Sequence, residues 1–226
     1  MISLKTSVAD LVVDRPARAR IFERLGIDYC CGGDHSLAEA ARKNDLDPET
    51  VVQMLDAATE ASSPTDTADC TDAALGDLID HIESNHHDYL RPELPRLERL
   101  ITQVAKAHGA QVPWTREVLD VFLNLKADLE VHMQNEEERV FPSIRRLAEQ
   151  DAPADANEIE QLIGEHEEAG AALDQLRAHS NDYTPPETAC PKFRAAMDGL
   201  RELEVDMHQH VHKENNILFP RARARM

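Results

Sequence analysis

The sequence predicts an all-α protein in which a small helical N-terminal domain precedes an up-down-up-down four-helix bundle. Aromatic residues make up only 4% of the 226 residues, and runs of β-branched residues are scarce, which favours helices over sheets. From about residue 72 onward, apolar residues recur at helical spacing in four long stretches. Short connections separate these stretches, and short connections make neighbouring helices antiparallel.

The chain divides into two predicted domains. Residues 1–61 contain short helical patterns between turn signals, and a domain of this size has a thin core. Residues 62–71 are polar, contain a proline and are interpreted as a linker. Residues 72–226 then form the bundle, in which Pro92 and Pro95 should kink the first helix rather than end it. The four helices are expected at about 72–107, 113–150, 154–180 and 188–218.

One motif occurs twice in the bundle, in residues 132–142 and 210–220. Each copy reads His-x-x-x-Glu-x-x-x-Val/Leu-Phe-Pro. Residues i, i+4 and i+8 lie near one stripe of a helix, so each copy points an imidazole and a carboxylate toward one interior. A buried carboxylate is costly unless it is paired or binds a metal. The Phe-Pro pair marks a point where the helix is strained or ends.

The helical rise places one histidine from each helix at a common level. His87 lies roughly 30 Å before the first turn of the bundle, and His132 lies roughly 30 Å after it. The match is poorest for His210, where the long preceding connection must absorb the difference. His108 lies at the first turn, too far away to reach the others unless the Pro92–Pro95 region reverses the chain. The predicted metal ligands are His87, His132, Glu136, His166, His210 and Glu214.

This ligand set predicts two metal ions, each bound by two imidazoles and bridged by both carboxylates. An oxo or hydroxo bridge would make each ion five-coordinate and leave one position open. Mixed nitrogen and oxygen ligands with open positions suit iron. Zinc prefers closed four-coordinate sites and magnesium does not take four imidazoles. We therefore expect an oxo- or hydroxo-bridged centre of two iron ions.

Titratable residues beside these ligands have simpler interpretations. Glu137 and Glu138 are expected to be solvated, and Glu137 is disfavoured as a ligand in place of Glu136 because it breaks the i+4 stripe. Glu165 belongs to a group of glutamates around His166, and one of that group could orient this histidine. The histidines expected at the surface or around the ligands are His81, His86, His179, His208 and His212.

Two adjacent cysteines, Cys30 and Cys31, precede two glycines in a predicted loop of the N-terminal domain. The simpler interpretation is a pair of free thiols. The functional interpretation is a pair that handles a soft metal, electrons or nitric oxide, and we favour it because the glycines allow close approach. The pair is our candidate for catalytic residues. Cys70 and Cys190 are interpreted as incidental.

The charge balance restricts the class of partner. The chain has 24 basic and 43 acidic residues, a net charge of −19, which argues against nucleic acid and anionic membranes. No apolar run approaches 18 residues, and the N-terminus lacks the apolar core of a signal peptide. We expect a soluble, cytoplasmic protein.

Taken together, two stretches resemble a known family. The Tyr-Cys-Cys-Gly-Gly run at residues 29–33 and the Glu-Asn-Asn-x-Leu-Phe-Pro run at 214–220, with the ligand set above, are similar to the repair of iron centres (RIC) proteins. The resemblance covers nearly the whole chain and implies a hemerythrin-like bundle. The oxygen-carrying hemerythrins have His-x-x-x-His on one helix, whereas residue 170, four after His166, is glycine here.

The resemblance implies repair of iron–sulfur clusters damaged by nitric oxide or peroxide, with the di-iron centre as a labile source of iron. It also implies that the cysteine pair communicates with that centre. The expected partners are damaged or apo iron–sulfur proteins and nitric oxide. Two alternatives stay open: reduction of nitric oxide to nitrous oxide, which would make the protein an enzyme, and a carrier or sensor of oxygen or nitric oxide.

Overall fold

The computed structural model describes residues 2–61, 73–150 and 154–226. The described residues are mostly helical, and their β-type pairing is an isolated antiparallel bridge between Ser7 and Ser36. The all-α prediction is therefore confirmed. The predicted linker at 62–71 lies outside the described residues. The chain forms two compact units, one of Met1–Ile79 with His208–Met226 and the other of Asp80–Met207.

The N-terminal helices of the first unit begin and end where local chemistry favours it. The Ser7 side chain accepts a hydrogen bond from the Asp10 amide, and Ser36 forms a capping box with Glu39. Gly26 ends its helix in the left-handed conformation, at φ 65°. The core contains buried apolar residues from all four helices and the connecting loop. The elements are α1 (Val8–Asp14), a 3-10 turn (Pro16–Arg18), α2 (Ala19–Leu25), α3 (Leu37–Lys43) and α4 (Pro48–Ala61).

The four long helical stretches contain three π turns. A π turn closes with a hydrogen bond five residues back, and it is frequently found at functional sites. The stretches are built from α5 (Leu75–Ile82), π1 (Glu83–His87) and α6 (Asp88–His108); α7 (Trp114–Asn135), π2 (Glu136–Val140) and α8 (Phe141–Gln150); α9 (Ala156–His179); and α10 (Pro191–Lys213), π3 (Glu214–Leu218) and α11 (Phe219–Arg223).

The prolines do not end these helices. Pro92 and Pro95 lie inside α6, as predicted. At the two Phe-Pro pairs, the Phe141 amide donates to the Glu136 carbonyl and the Phe219 amide donates to the Glu214 carbonyl, both five residues back. The last helix continues to Arg223, so the expectation that it ends near residue 218 was wrong. A proline early in a helical segment does not disrupt that segment, because the N–H that proline lacks would have no hydrogen-bond partner within it.

The second unit is the bundle proper. Helix α7 packs against both α6 and α9. Helix α10 approaches α6 closely at Gly199, where an added Cβ would lie 2.7 Å from Leu97 Cδ2. This packing buries large apolar side chains, among them Phe122 and Phe193. The packing of α7 between α6 and α9 places one face of α7 toward each neighbour, and both faces contain titratable residues.

Candidate metal centre

Three predicted ligands come together in the second unit: one carboxylate and the two imidazoles that face it. Glu136, the first residue of π2, is fully buried, as is His87 at the end of π1. The Nε2 atom of His87 lies 3.3 Å from Glu136 Oε2, and the Nε2 atom of His132 lies 3.4 Å from Glu136 Oε1. One carboxylate thus faces two imidazoles from different helices, with a different oxygen toward each.

His166 of α9 joins the same cluster. Its Nε2 atom is 2.9 Å from the Nε2 atom of His132, and the two rings meet edge to face. One ligand-type atom from each of His132, Glu136 and His166 lies within 4.8 Å of the others. A histidine binds a metal through a bare ring nitrogen, so two Nε2 atoms directed at one point can share an ion between them.

Two further glutamates fix the orientation of these rings. Glu137 Oε1 accepts from His87 Nδ1 at 2.6 Å, and Glu165 Oε2 accepts from His132 Nδ1 at 2.6 Å. A carboxylate on Nδ1 leaves Nε2 to face the cluster and raises the basicity of that nitrogen. Arg91 in turn contacts both oxygens of Glu137.

These contacts correct the expectation for Glu137 and assign a partner to Glu165. Glu137 is not simply solvated, because it contacts the ring of a candidate ligand. Glu165 contacts His132 on the neighbouring helix. Both pairings join residues of different helices, so no local spacing in the sequence could indicate them.

The first unit contains the second copy of the motif. His210 lies in the last turn of α10 and Glu214 begins π3, and both side chains are buried. The Nε2 atom of His210 is 3.0 Å from Glu214 Oε1. The pair has the same four-residue separation as His132 and Glu136. Each copy therefore places a buried carboxylate at the start of a π turn beside the imidazole one helical turn earlier.

The chemistry of these donors fits a metal ion such as iron. Imidazole nitrogens and carboxylate oxygens are borderline and hard ligands, and thiolates are absent from the described cluster. Burial of a carboxylate among histidines is costly unless a positive charge or protons compensate it. The buried His and Glu residues are therefore suited to hold metal.

Several other histidines make contacts of their own. The Nε2 atom of His108 is 3.4 Å from Cys190 Sγ, and its ring contacts Phe193 at the far end of α6. His86 and His212 are buried. His86 Nδ1 pairs with Asp206 at 2.8 Å. Burial lowers the pKa of His212 to about 4.

The cysteine pair lies in the loop before α3. Cys30 is buried and Cys31 is partly exposed, with 3.8 Å between the two Sγ atoms. The Cys30 thiol also donates to Asp28 Oδ1 at 3.1 Å. The hydrogen bond with Cys31, burial and the nearby Asp28 charge raise the pKa of Cys30 well above its usual value. The thiol form of Cys30 is thus favoured at neutral pH.

A cavity of about 590 Å³ connects the surface with the cluster in the second unit. It lies between α7 and α9 and reaches His132, His166 and Glu165. The exposed Val131 stands at its outer side. The cavity is large enough to admit a small molecule to the face of the cluster formed by these two histidines.

Two family models match this chain. Residues 78–222 match the model of the hemerythrin HHE cation binding domain, and residues 4–59 match that of the ScdA N-terminal domain, a domain of unknown function. The chain is 33% identical to an iron-sulfur cluster repair protein ScdA of Staphylococcus haemolyticus over 97% of this chain and 98% of the relative. It is 35% identical to an iron-sulfur cluster repair protein YtfE of Dickeya chrysanthemi over 96% of both chains.

The chain belongs to the iron–sulfur cluster repair family. A YtfE protein of Escherichia coli is 34% identical over 96% of both chains, so the similarity to this family extends across both predicted domains. No helix in the described part of this family member is long and apolar enough to cross a membrane.

Proposed function

We propose that this protein repairs damaged iron–sulfur clusters by supplying iron. The observation behind the proposal is the buried set of histidines and glutamates, repeated as two His-x-x-x-Glu pairs and matched by a cation-binding domain model. Relatives named as iron–sulfur cluster repair proteins, similar over nearly the full length of the chain, support the same activity.

We infer that the iron source is a di-iron centre. Its ligands would be His87, His132, Glu136, His166, His210 and Glu214. Two carboxylates and four imidazoles are enough ligands for two ions, and helix bundles hold di-metal sites with carboxylate and imidazole ligands from facing helices. When bound, such iron would supply ferrous ions for transfer to a client protein and a redox-active site for small molecules. The client is an apo or damaged iron–sulfur protein, and we place the reaction in the cytoplasm.

The chain's own residues then have distinct tasks. Glu137 and Glu165 hold two imidazoles in the orientation that presents Nε2. The cavity beside His132 and His166 lets solvent and small molecules reach that side of the cluster. A site with open access and no thiolate ligands is suited to exchange, whereas a structural metal is enclosed by tight ligands.

Iron transfer to a purified apo iron–sulfur protein, supplied with sulfide and a reductant, tests this function. The iron-loaded protein should restore the visible absorbance of the cluster faster than an equal amount of free ferrous iron with a chelator present. A matched sample of Glu136→Ala should restore little. Equal recovery with and without the protein would refute the proposal.

The cavity favours a second candidate, reduction of nitric oxide. Two molecules of nitric oxide, two electrons and two protons give nitrous oxide and water, and an external reductant must supply the electrons. The cavity admits molecules of this size to His132 and His166. Nitrous oxide formation at many turnovers per protein would support this role. Stable, reversible binding of nitric oxide or oxygen with no turnover and no iron transfer would indicate a carrier or sensor.

We propose that Cys30 and Cys31 take part in the biological activity through redox or nitric oxide chemistry, and not as permanent iron ligands. Their 3.8 Å separation and the partial exposure of Cys31 suit a reactive pair. A Cys30→Ala, Cys31→Ala variant should bind iron normally but repair clusters poorly. Repair at the normal rate would show that the two thiols have no part in the activity.

A further inference from the structure

The backbone amides of the cysteine loop are held by one side chain. Asp28 Oδ1 accepts from the amides of Cys30 at 2.8 Å and Cys31 at 3.2 Å, and its Oδ2 accepts from the amide of Gly32 at 2.7 Å. Successive amides that converge on one anion form a nest. Asp28 therefore determines the curvature of the loop, but it lies within the loop and cannot determine what the loop packs against.

The carbonyls of the same loop are held from the C-terminal helical stretch. Asn216 Nδ2 donates to the Tyr29 carbonyl at 3.4 Å and to the Cys30 carbonyl at 3.3 Å. His212 Nδ1 lies 3.3 Å from the Tyr29 carbonyl, and its ring contacts the Tyr29 ring edge to face. Asn216 is thus the residue that bonds to the carbonyl of Cys30 itself.

Asn216 lies within π3, two residues after Glu214. The loop is also held from the other side, because the Ala9 amide donates to the Gly33 carbonyl at 3.0 Å. The loop thus contacts both α1 and π3, and within it Cys30 is buried while Cys31 is partly exposed. Of these contacts, the one to the Cys30 carbonyl is made by the neutral side chain of Asn216, whose Nδ2 also lies 3.1 Å from His212 Nδ1.

We propose that Asn216 is the positioning residue of the cysteine pair. By holding the carbonyls of Tyr29 and Cys30, it keeps the Cys30 thiol enclosed and so determines which of the two thiols meets reagents first. This assigns a role to the second asparagine of the Glu-Asn-Asn run, which the metal chemistry leaves unexplained. Loss of the amide should free the loop locally, while α10 and π3 stay folded.

Pulse alkylation with iodoacetamide tests the assignment on the full-length protein with its iron content measured. In this reaction a thiolate displaces iodide, and the thiol proton goes to water. Peptide mass spectrometry reports the rate at Cys30 separately from that at Cys31. A buried thiol reacts only when its loop opens, so its rate measures the population of the open loop.

Asn216→Ala should raise the Cys30 rate at least fivefold at pH 7.5 and leave the iron content unchanged. Asn216→Asp keeps the side-chain size but removes the donors, and it should do the same. The matched control is Gln209→Ala, which removes another amide hydrogen bond in this unit, the 3.2 Å bond to Glu23, and should leave the Cys30 rate within twofold.

A rise smaller than fivefold in both Asn216 variants would overturn the proposal. An equal rise in Gln209→Ala would overturn it as well, because any lost contact would then suffice. Loss of iron or of the folded state in both Asn216 variants would show that the residue maintains π3 rather than positioning the thiols.

Discussion

Glu136 and Glu214 are the residues on which the proposed centre depends most. Both carboxylates are fully buried, and each lies beside the histidine one turn earlier. Such a carboxylate with no metal must be neutralised or paired, so its burial is consistent with a role in binding a cation.

Glu136→Ala and Glu214→Ala should each reduce the bound iron by half or more, because each change removes a ligand proposed to serve both ions. His108→Ala is the control and should keep all its iron, since His108 instead contacts Cys190 and Phe193. Metal analysis after gel filtration gives the iron per chain. Full loading of either glutamate variant would contradict the proposed ligand set.

Glu137 and Glu165 should influence iron affinity without touching the metal. Replacing either with glutamine removes the carboxylate charge beside a histidine Nδ1. This change should weaken iron binding by about 10- to 100-fold. Glu138→Gln is a matched control on the same turn, because Glu138 bonds to Gln134 instead of a histidine. Competition with a chelator of known affinity measures the change. Equal affinities in all three variants would show that ring orientation does not depend on these carboxylates.

At the scale of the element, the π turns and the cysteine loop show how local backbone geometry serves the candidate sites. Each π turn places a candidate ligand at its first or last residue: His87 ends π1, Glu136 begins π2 and Glu214 begins π3. A π turn inserts one extra residue into a helix, which rotates all the residues that follow it. The Phe-Pro pairs come directly after two of the turns, where the missing proline N–H does not disrupt the helix.

The cysteine loop requires a glycine at position 33. A Cβ there would lie 2.7 Å from the Ala9 Cβ and 2.8 Å from the Tyr29 carbonyl oxygen, and neither atom can move freely. Gly33→Ala should therefore lower the free energy of unfolding by about 1–3 kcal/mol, as overpacked sites do. Urea denaturation measures the loss.

Gly164→Ala provides the opposite control for this loop. Gly164 lies inside α9 with nothing within 4 Å of an added Cβ, so alanine there should stabilise the protein by about 0.5–1 kcal/mol. If Gly33→Ala were as stable as the unchanged protein, this result would contradict the inference that the loop packs tightly on α1.

At the scale of the whole molecule, the proposed repair activity requires that iron can leave. The proposed ligands are imidazoles and carboxylates, and a cavity reaches the cluster from the surface. Carboxylates attract a ferrous ion less strongly than a ferric ion because its charge is lower.

The reduced protein should therefore lose its iron to a chelator at least tenfold faster than the oxidised protein. The rate of formation of the coloured ferrous or ferric chelate measures the release from each state. A Val131→Ala sample controls for access, since it alters only the exposed side of the cavity. Equal, slow release from both states would oppose iron donation and favour nitric oxide chemistry.

The sequence by itself determined the helical class, the approximate helix positions and the candidate ligands. These features are local: helical periodicity, the four-residue His–Glu spacing and the caps each depend on residues within one or two turns. The start of α7 at Trp114, for example, agrees with the prediction. The sequence did not predict the π turns. Each of the two turns before a Phe-Pro pair begins at the glutamate of a His–Glu pair, so the four-residue spacing lies before the turn and does not reveal it.

Only the tertiary structure decided which residues support the candidate ligands. Glu165 meets His132 from another helix, 33 residues away, and Asn216 meets Cys30 across 186 residues. His212 was expected at the surface or around the ligands, and only the structure shows that it is buried against the Tyr29 carbonyl of the cysteine loop. Pairings of this kind depend on how elements pack, and residues distant along the chain leave no periodic trace of them in a single sequence.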